Sequence, residues 1–94
     1  MRGAFSIRTK NLLFGYTPLT DDKGQSKIAV SVSKKVARLA VDRNRLKREC
    51  RHALRLYIPT LKKPILGIIR VMNKGAEYKD FTAEIKDIFE RVAQ

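Results

Sequence analysis

One cysteine and one histidine are all that the 94 residues contain, and that scarcity removes several chemistries at once. Cys50 has no partner for an intramolecular disulfide, and Cys50 with His52 cannot supply the several ligands that a zinc centre needs. A nucleophile oriented by a base also calls for histidine, and His52 has no Ser, Cys or acidic partner apparent in the sequence. Glycine-rich phosphate loops are absent. No apolar run approaches the roughly 18–20 residues of a membrane span, and Met1-Arg2-Gly3-Ala4 does not lead into the apolar core of a signal peptide. A soluble, cytoplasmic, single domain over residues 1–94 is expected, small enough to bury only about 60–65% of its unfolded surface. No membrane partner and no protein oligomer are expected.

Acidic residues are also scarce. Nine Asp and Glu face 21 Lys and Arg, a net charge of +12. An imbalance of that size repels itself unless a polyanion neutralises it, so nucleic acid is the first candidate partner. The charge is unevenly placed. From Glu77 onward three Lys/Arg meet five acids, a net of −2, which leaves +14 for residues 1–76. Between Lys34 and Arg55 nine Lys/Arg accompany only Asp42 and Glu49, so +7 falls on 22 residues. The C-terminal acids follow helical spacing and are expected to keep the outer face of a helix soluble rather than to bind metal.

Hydrophobic periodicity gives the elements. Leu12, Phe14 and Tyr16 alternate as one face of a strand that Pro18 ends, and Phe5-Ser6-Ile7-Arg8-Thr9 alternates as an earlier one. From Lys27 to Ser33, Ile28, Val30 and Val32 oppose Ala29, Ser31 and Ser33, which predicts a strand with one apolar side. The period then changes to 3.6. Leu46, Cys50, Ala53, Leu54 and Tyr57 line one face of a helix over Arg43–Tyr57, with Asp42 as its N-cap and Pro59 as its stop. Pro64–Val71 reads as a buried strand, and Phe81, Ile85, Ile88, Phe89 and Val92 return to helical spacing. The expected fold class is α+β, one mixed sheet packed with two helices.

On the first helix, Asn44, Arg48, Arg51, His52 and Arg55 project opposite the apolar stripe, with Arg45 and Lys47 on its flanks. A solvated charged face is the simpler reading for a helix that mixes signs. Here same-sign neighbours at i+3, i+4 and i+7 each cost a few tenths of a kcal/mol. Arg43 and Arg45 in the first turn further oppose the helix dipole. RNA phosphate would reverse both penalties, and Arg can grip it with two donors at once. Phosphate binding is therefore the favoured reading for this face. Lys34-Lys35 either bind phosphate or mark a solvated strand end. Phe14 and Tyr16 either stack on unpaired bases or belong to the core. On the apolar side, Cys50 reads as a buried small hydrophobe.

Two blocks, Val32-Ser33-Lys34-Lys35-Val36 and Ala40-Val41-Asp42-Arg43-Asn44-Arg45-Leu46-Lys47-Arg48-Glu49-Cys50-Arg51, closely resemble the signature of the bacterial ribonuclease P protein subunit. Their order and spacing, on a strand and then a helix, make the likeness specific, and looser agreement runs from Leu12 to the C-terminus. The resemblance implies a left-handed β-α-β crossover, which the general handedness rule would not give. It implies a catalytic RNA subunit as partner, which performs Mg²⁺-dependent removal of the 5′ leader from precursor tRNA, with no cofactor held by the protein alone. It assigns Arg43, Asn44, Arg45, Lys47, Arg48 and Arg51 to contact with that RNA. It implies a cleft between sheet and helix that holds the leader, with Tyr16, and with it Phe14, at a matching strand position. The sequence departs from the family pattern in Ala37 and Ala29, each in place of a usual glycine, which bears on the local turns. It also begins almost at the first strand, where the family usually has a helix with further aromatic residues. A ribosome-like RNA-binding protein is the main competing reading. A helix-turn-helix DNA binder would need a helix where Lys27–Ser33 reads as strand, and a free-standing nuclease would need metal ligands or a base.

Overall fold

The structure is a computed structural model that describes residues 5–18, 26–61 and 64–92. Three strands come first: β1 (Phe5–Arg8), β2 (Leu12–Pro18) and β3 (Lys27–Val32). Helix α1 (Ala40–Tyr57) follows and passes into a 3-10 turn over Ile58–Thr60, then β4 (Ile65–Val71) and helix α2 (Tyr78–Val92) complete the chain. The sheet order is β1-β2-β4-β3. The β1–β2 and β2–β4 pairs are antiparallel, whereas β3 and β4 are parallel and joined through α1, so the sheet is mixed and contains one β-α-β unit.

Alternation along each strand decides which side the helices cover. Leu12, Phe14, Val30, Val32, Ile65, Ile69 and Val71 are all buried and meet Leu46, Cys50, Ala53 and Leu54 of α1 and Phe81, Ile85, Ile88 and Phe89 of α2 in one core. The other side of the sheet stays open, with Leu66, Ile68 and Arg70 exposed. Gly67 makes one close approach possible. A Cβ there would lie 2.8 Å from Phe14 Cε1 and 2.9 Å from the Gly15 carbonyl oxygen. Any side chain would push the Phe14 ring off the sheet.

Two expectations about helix ends need correction. α1 starts at Ala40, not Arg43, and its N-cap is Leu39, which makes no side-chain capping bond. Asp42 sits inside the first turn instead, where its charge complements the helix dipole. Pro59 ends α1 as expected, because it falls in the first turn of the following 3-10 segment, whose missing N–H the tighter turn tolerates.

One acid of α2 faces inward, contrary to the outward reading of the C-terminal acids. Glu84 Oε1 accepts from the Thr9 hydroxyl and from the Asn11 backbone N–H at 2.7 Å, while Oε2 accepts from Asn11 Nδ2 at 2.6 Å. Asn11, only 4% exposed, in turn accepts from Asn73 Nδ2 at 2.9 Å, and its backbone carbonyl accepts from the Met72 N–H at 2.8 Å. The β1–β2 turn, the end of β4 and the middle of α2 are thus clasped by one part-buried polar network.

Candidate nucleic-acid interface

Burial of one α1 face aims the other outward. With Leu46, Cys50, Ala53 and Leu54 buried, the 3.6-residue period leaves Asn44, Arg48, Arg51, His52 and Arg55 exposed and Lys47 half-buried. Both acids of this segment are occupied elsewhere. Glu49 pairs with Arg45 one turn away, and Asp42 pairs at 3.5 Å with Lys74, in the turn after β4. Among the described residues, Arg48, Arg51 and Arg55 form no ion pair. Their field is therefore uncompensated along about two turns of helix.

The two arginines of the Arg-Asn-Arg block behave differently from the rest. Arg43 Nη1 donates to the backbone carbonyls of Ala37, at 3.0 Å, and Arg38, at 2.8 Å. Arg45 is held by Glu49 and donates to the Lys74 carbonyl at 3.4 Å. Both guanidinium groups thus have partners within the protein, and Asn44 between them is the exposed member of the block. Ahead of the helix, Lys34 and Lys35 are exposed and share a hollow with Arg38, a cation that the strand-end reading had no reason to include.

The aromatic assignment divides. Phe14 is 0% exposed, enclosed by Phe89 at 6.2 Å between ring centroids and lying over Gly67, so it belongs to the core and cannot reach a base. Tyr16 is half-buried, and its ring stacks on Phe14 at 5.2 Å and on Phe5 at 5.4 Å. Phe5 itself is 52% exposed. Sequence reasoning missed Phe5, because what brings it beside Tyr16 is the β1–β2 register, which pairs those two residues directly.

Cys50 offers no chemistry here. Burial pushes its thiol up to about 12, with the neighbouring Arg51 charge lowering it only in part and Glu84 adding to the rise. Among the described residues no three His, Cys, Asp or Glu side chains gather into a possible metal site. Nor is any helix among them long and apolar enough to cross a membrane.

The family model for Ribonuclease P matches residues 1–93. The ribonuclease P protein component of Microcystis aeruginosa is 39% identical over 71 residues, which are 72% of this chain and 58% of that one. That of Clostridioides difficile is 40% identical over 76 residues, 78% of this chain and 66% of that one. The matches therefore span between 58% and 66% of the length of these two relatives. The fold matches the RNase P protein of Staphylococcus aureus with a TM-score of 0.78 at 17% identity, covering 97% of this chain and 82% of that one. It also matches the RNase P protein of Thermotoga maritima with a TM-score of 0.79 at 17% identity, covering 94% and 83%. With a family match along nearly its whole length and the fold of these proteins around the Arg-Asn-Arg helix, the chain belongs to the ribonuclease P protein family.

Proposed function

We propose that the chain serves as the protein subunit of ribonuclease P in the cytoplasm, binding the catalytic RNA and precursor tRNA so that the RNA can remove the 5′ leader. The observation that carries this reading is the outward face of α1. Asn44, Arg48, Arg51 and Arg55 stand exposed there, and no described acid pairs with the three arginines. Each arginine can hold a phosphate through two parallel N–H donors, and each such contact releases a condensed cation from the RNA. Lys47, on the flank, adds a point charge. Arg43 and Arg45 support this face from within, since their guanidinium groups bind protein carbonyls and Glu49.

The leader would meet the Phe5–Tyr16 pair. A half-buried tyrosine stacked on an exposed phenylalanine presents aromatic surface at the sheet end, which suits an unpaired base of any sequence. Asp42, Glu49 and Glu84 are taken up by Lys74, Arg45 and the Thr9–Asn11 turn. We accordingly assign Mg²⁺ to the RNA and no metal-bound step to the protein. What the protein contributes is cation density, which lets two polyanions approach each other.

The test is a cleavage assay with a bacterial ribonuclease P RNA and precursor tRNA at Mg²⁺ concentrations too low for the RNA alone. Added protein should restore cleavage, and protein freed of RNA should cleave nothing. Cleavage by the RNA-free protein, or an unchanged Mg²⁺ requirement, would refute the proposal.

A further inference from the structure

Strand β4 has the sequence of a strand covered on both faces, yet the helices cover only one. Arg70 is the only polar side chain in Ile65–Val71, and so continuous an apolar run belongs to a strand with a layer on each side. Ile65, Ile69 and Val71 lie in the core, whereas Leu66 is 50% and Ile68 38% exposed on the open side. The register sets their neighbours there. Ile68 lies between Gly15 and Ala29, and Ser6 pairs with Gly15 beyond it, so one large apolar side chain stands among three small residues. Because Gly15 has no side chain, the face is dented beside Ile68. The hollow holds about 150 Å³ and is lined by Ser6, Leu13, Gly15, Ile68 and Arg70. A space of that order accepts a benzene ring, hence one leucine or phenyl side chain.

Charge brackets this apolar stripe at both ends. Leu13 lies between Arg8 and Arg70, and Leu66 pairs with Lys27. All three cations are exposed, none forms an ion pair among the described residues, and the four strands contain no acid. A second copy of the chain is a poor occupant, since it would set the same cations against each other. The area is also too small for it. Three strand spacings of about 4.8 Å by about 23 Å of strand give roughly 300 Å². A stable dimer takes about 800 Å² from each partner. An α-helix is about 10–12 Å across, which fits the width between β1 and β3, and about 15 residues span the length of β4.

We propose that the open face of the sheet docks an amphipathic helix of a partner protein. Its apolar side lies over Leu13, Leu66 and Ile68 with one side chain in the hollow beside Gly15, and its acidic flanks meet Arg8, Arg70 and Lys27. The docking goes beyond the RNA-binding reading and uses none of the residues assigned to it.

The test titrates the full chain into a fluorescein-labelled synthetic peptide of about 15 residues, with leucines at helical i, i+3, i+4 spacing and glutamates on its flanks, followed by anisotropy. A Cβ at Gly15 would meet only the Phe5 carbonyl oxygen, at 3.9 Å, so Gly15→Val should fold and fill the hollow. It should weaken peptide binding by about tenfold or more, the order expected when a pocket rejects an apolar group. Arg70→Gln, an exposed change that leaves the hollow's apolar wall in place, should weaken it several-fold. Arg48→Gln, on the far side of α1, should leave it unchanged. No peptide binding, or equal binding of a peptide with serine in place of every leucine, would overturn the proposal. So would loss of binding in Arg48→Gln but not in Gly15→Val, which would place the peptide on the cationic face of α1. If Gly15→Val weakens the binding of a bacterial ribonuclease P RNA and not that of the peptide, RNA rather than a protein helix covers this face, and the proposal falls.

Discussion

Replacing Glu84 by Gln removes one charge and turns one acceptor into a donor at the centre of the clasp between α2 and the β1–β2 turn. If the new amide keeps its oxygen toward Thr9 and the Asn11 N–H, its nitrogen faces Asn11 Nδ2, donor against donor, where the carboxylate had accepted at 2.6 Å. Asn11 cannot flip to relieve this, because its Oδ1 already accepts from Asn73 Nδ2 at 2.9 Å. One hydrogen bond to a charged group is lost, worth about 1.5–3 kcal/mol, and the two that remain become neutral and weaker. The net cost should be roughly 2–4 kcal/mol. At about 4–8 °C per kcal/mol for a domain of this size, thermal unfolding followed by circular dichroism should show a fall of about 8 °C or more. RNA affinity of the folded protein should not change. A Glu84→Gln protein that melts within about 2 °C of the parent would show that the clasp is not what ties these segments together.

Two further outcomes follow from burial. Leu46→Ala empties a fully buried position on the apolar side of α1, and should cost about 2–5 kcal/mol by denaturant titration while leaving the salt dependence of RNA binding unchanged. Cys50 should resist iodoacetamide at pH 8 in the native protein and react once denatured. Its thiol stays protonated up to about 12 in the fold against 9.0 as the ordinary value, so between those pH values the unfolded chain alone ionises and native stability falls as pH rises. Rapid native labelling would contradict that burial.

Alternation was enough to find β2 and β3, because one side of each is buried by the helices and the other is not, and the 3.6-residue stripe through Leu46, Cys50 and Leu54 found α1 for the same reason. The outward face of α1 was legible with it, since burying one side fixes where Arg48, Arg51 and Arg55 point. What escaped the sequence depended on distant segments. Glu84 and Asn11 stand 73 residues apart, so nothing local distinguished Glu84 from the solvated acids around it. Phe14 and Tyr16 carry the same alternation, and only α2, through Phe89, separates the buried ring from the half-exposed one. The start of α1 was misplaced because Asp42 resembles a cap, whereas its partner is Lys74, beyond β4. Nor does any pattern of spacing reveal that Arg43 bonds the Ala37 and Arg38 carbonyls, or that Arg45 reaches Glu49 and the Lys74 carbonyl.

The central claim is that the exposed arginines of α1 meet RNA phosphate, and the most direct measurement is the affinity of an Arg48→Ala, Arg51→Ala double variant for a bacterial ribonuclease P RNA across a salt series. Both side chains are exposed and unpaired among the described residues, so folding should survive and easing their repulsion should leave the melting temperature no lower than that of the parent. Binding should weaken, and the log–log salt slope should fall by roughly 1.4–1.8, the sum of two phosphate contacts. Parental affinity with an unchanged slope would contradict the claim.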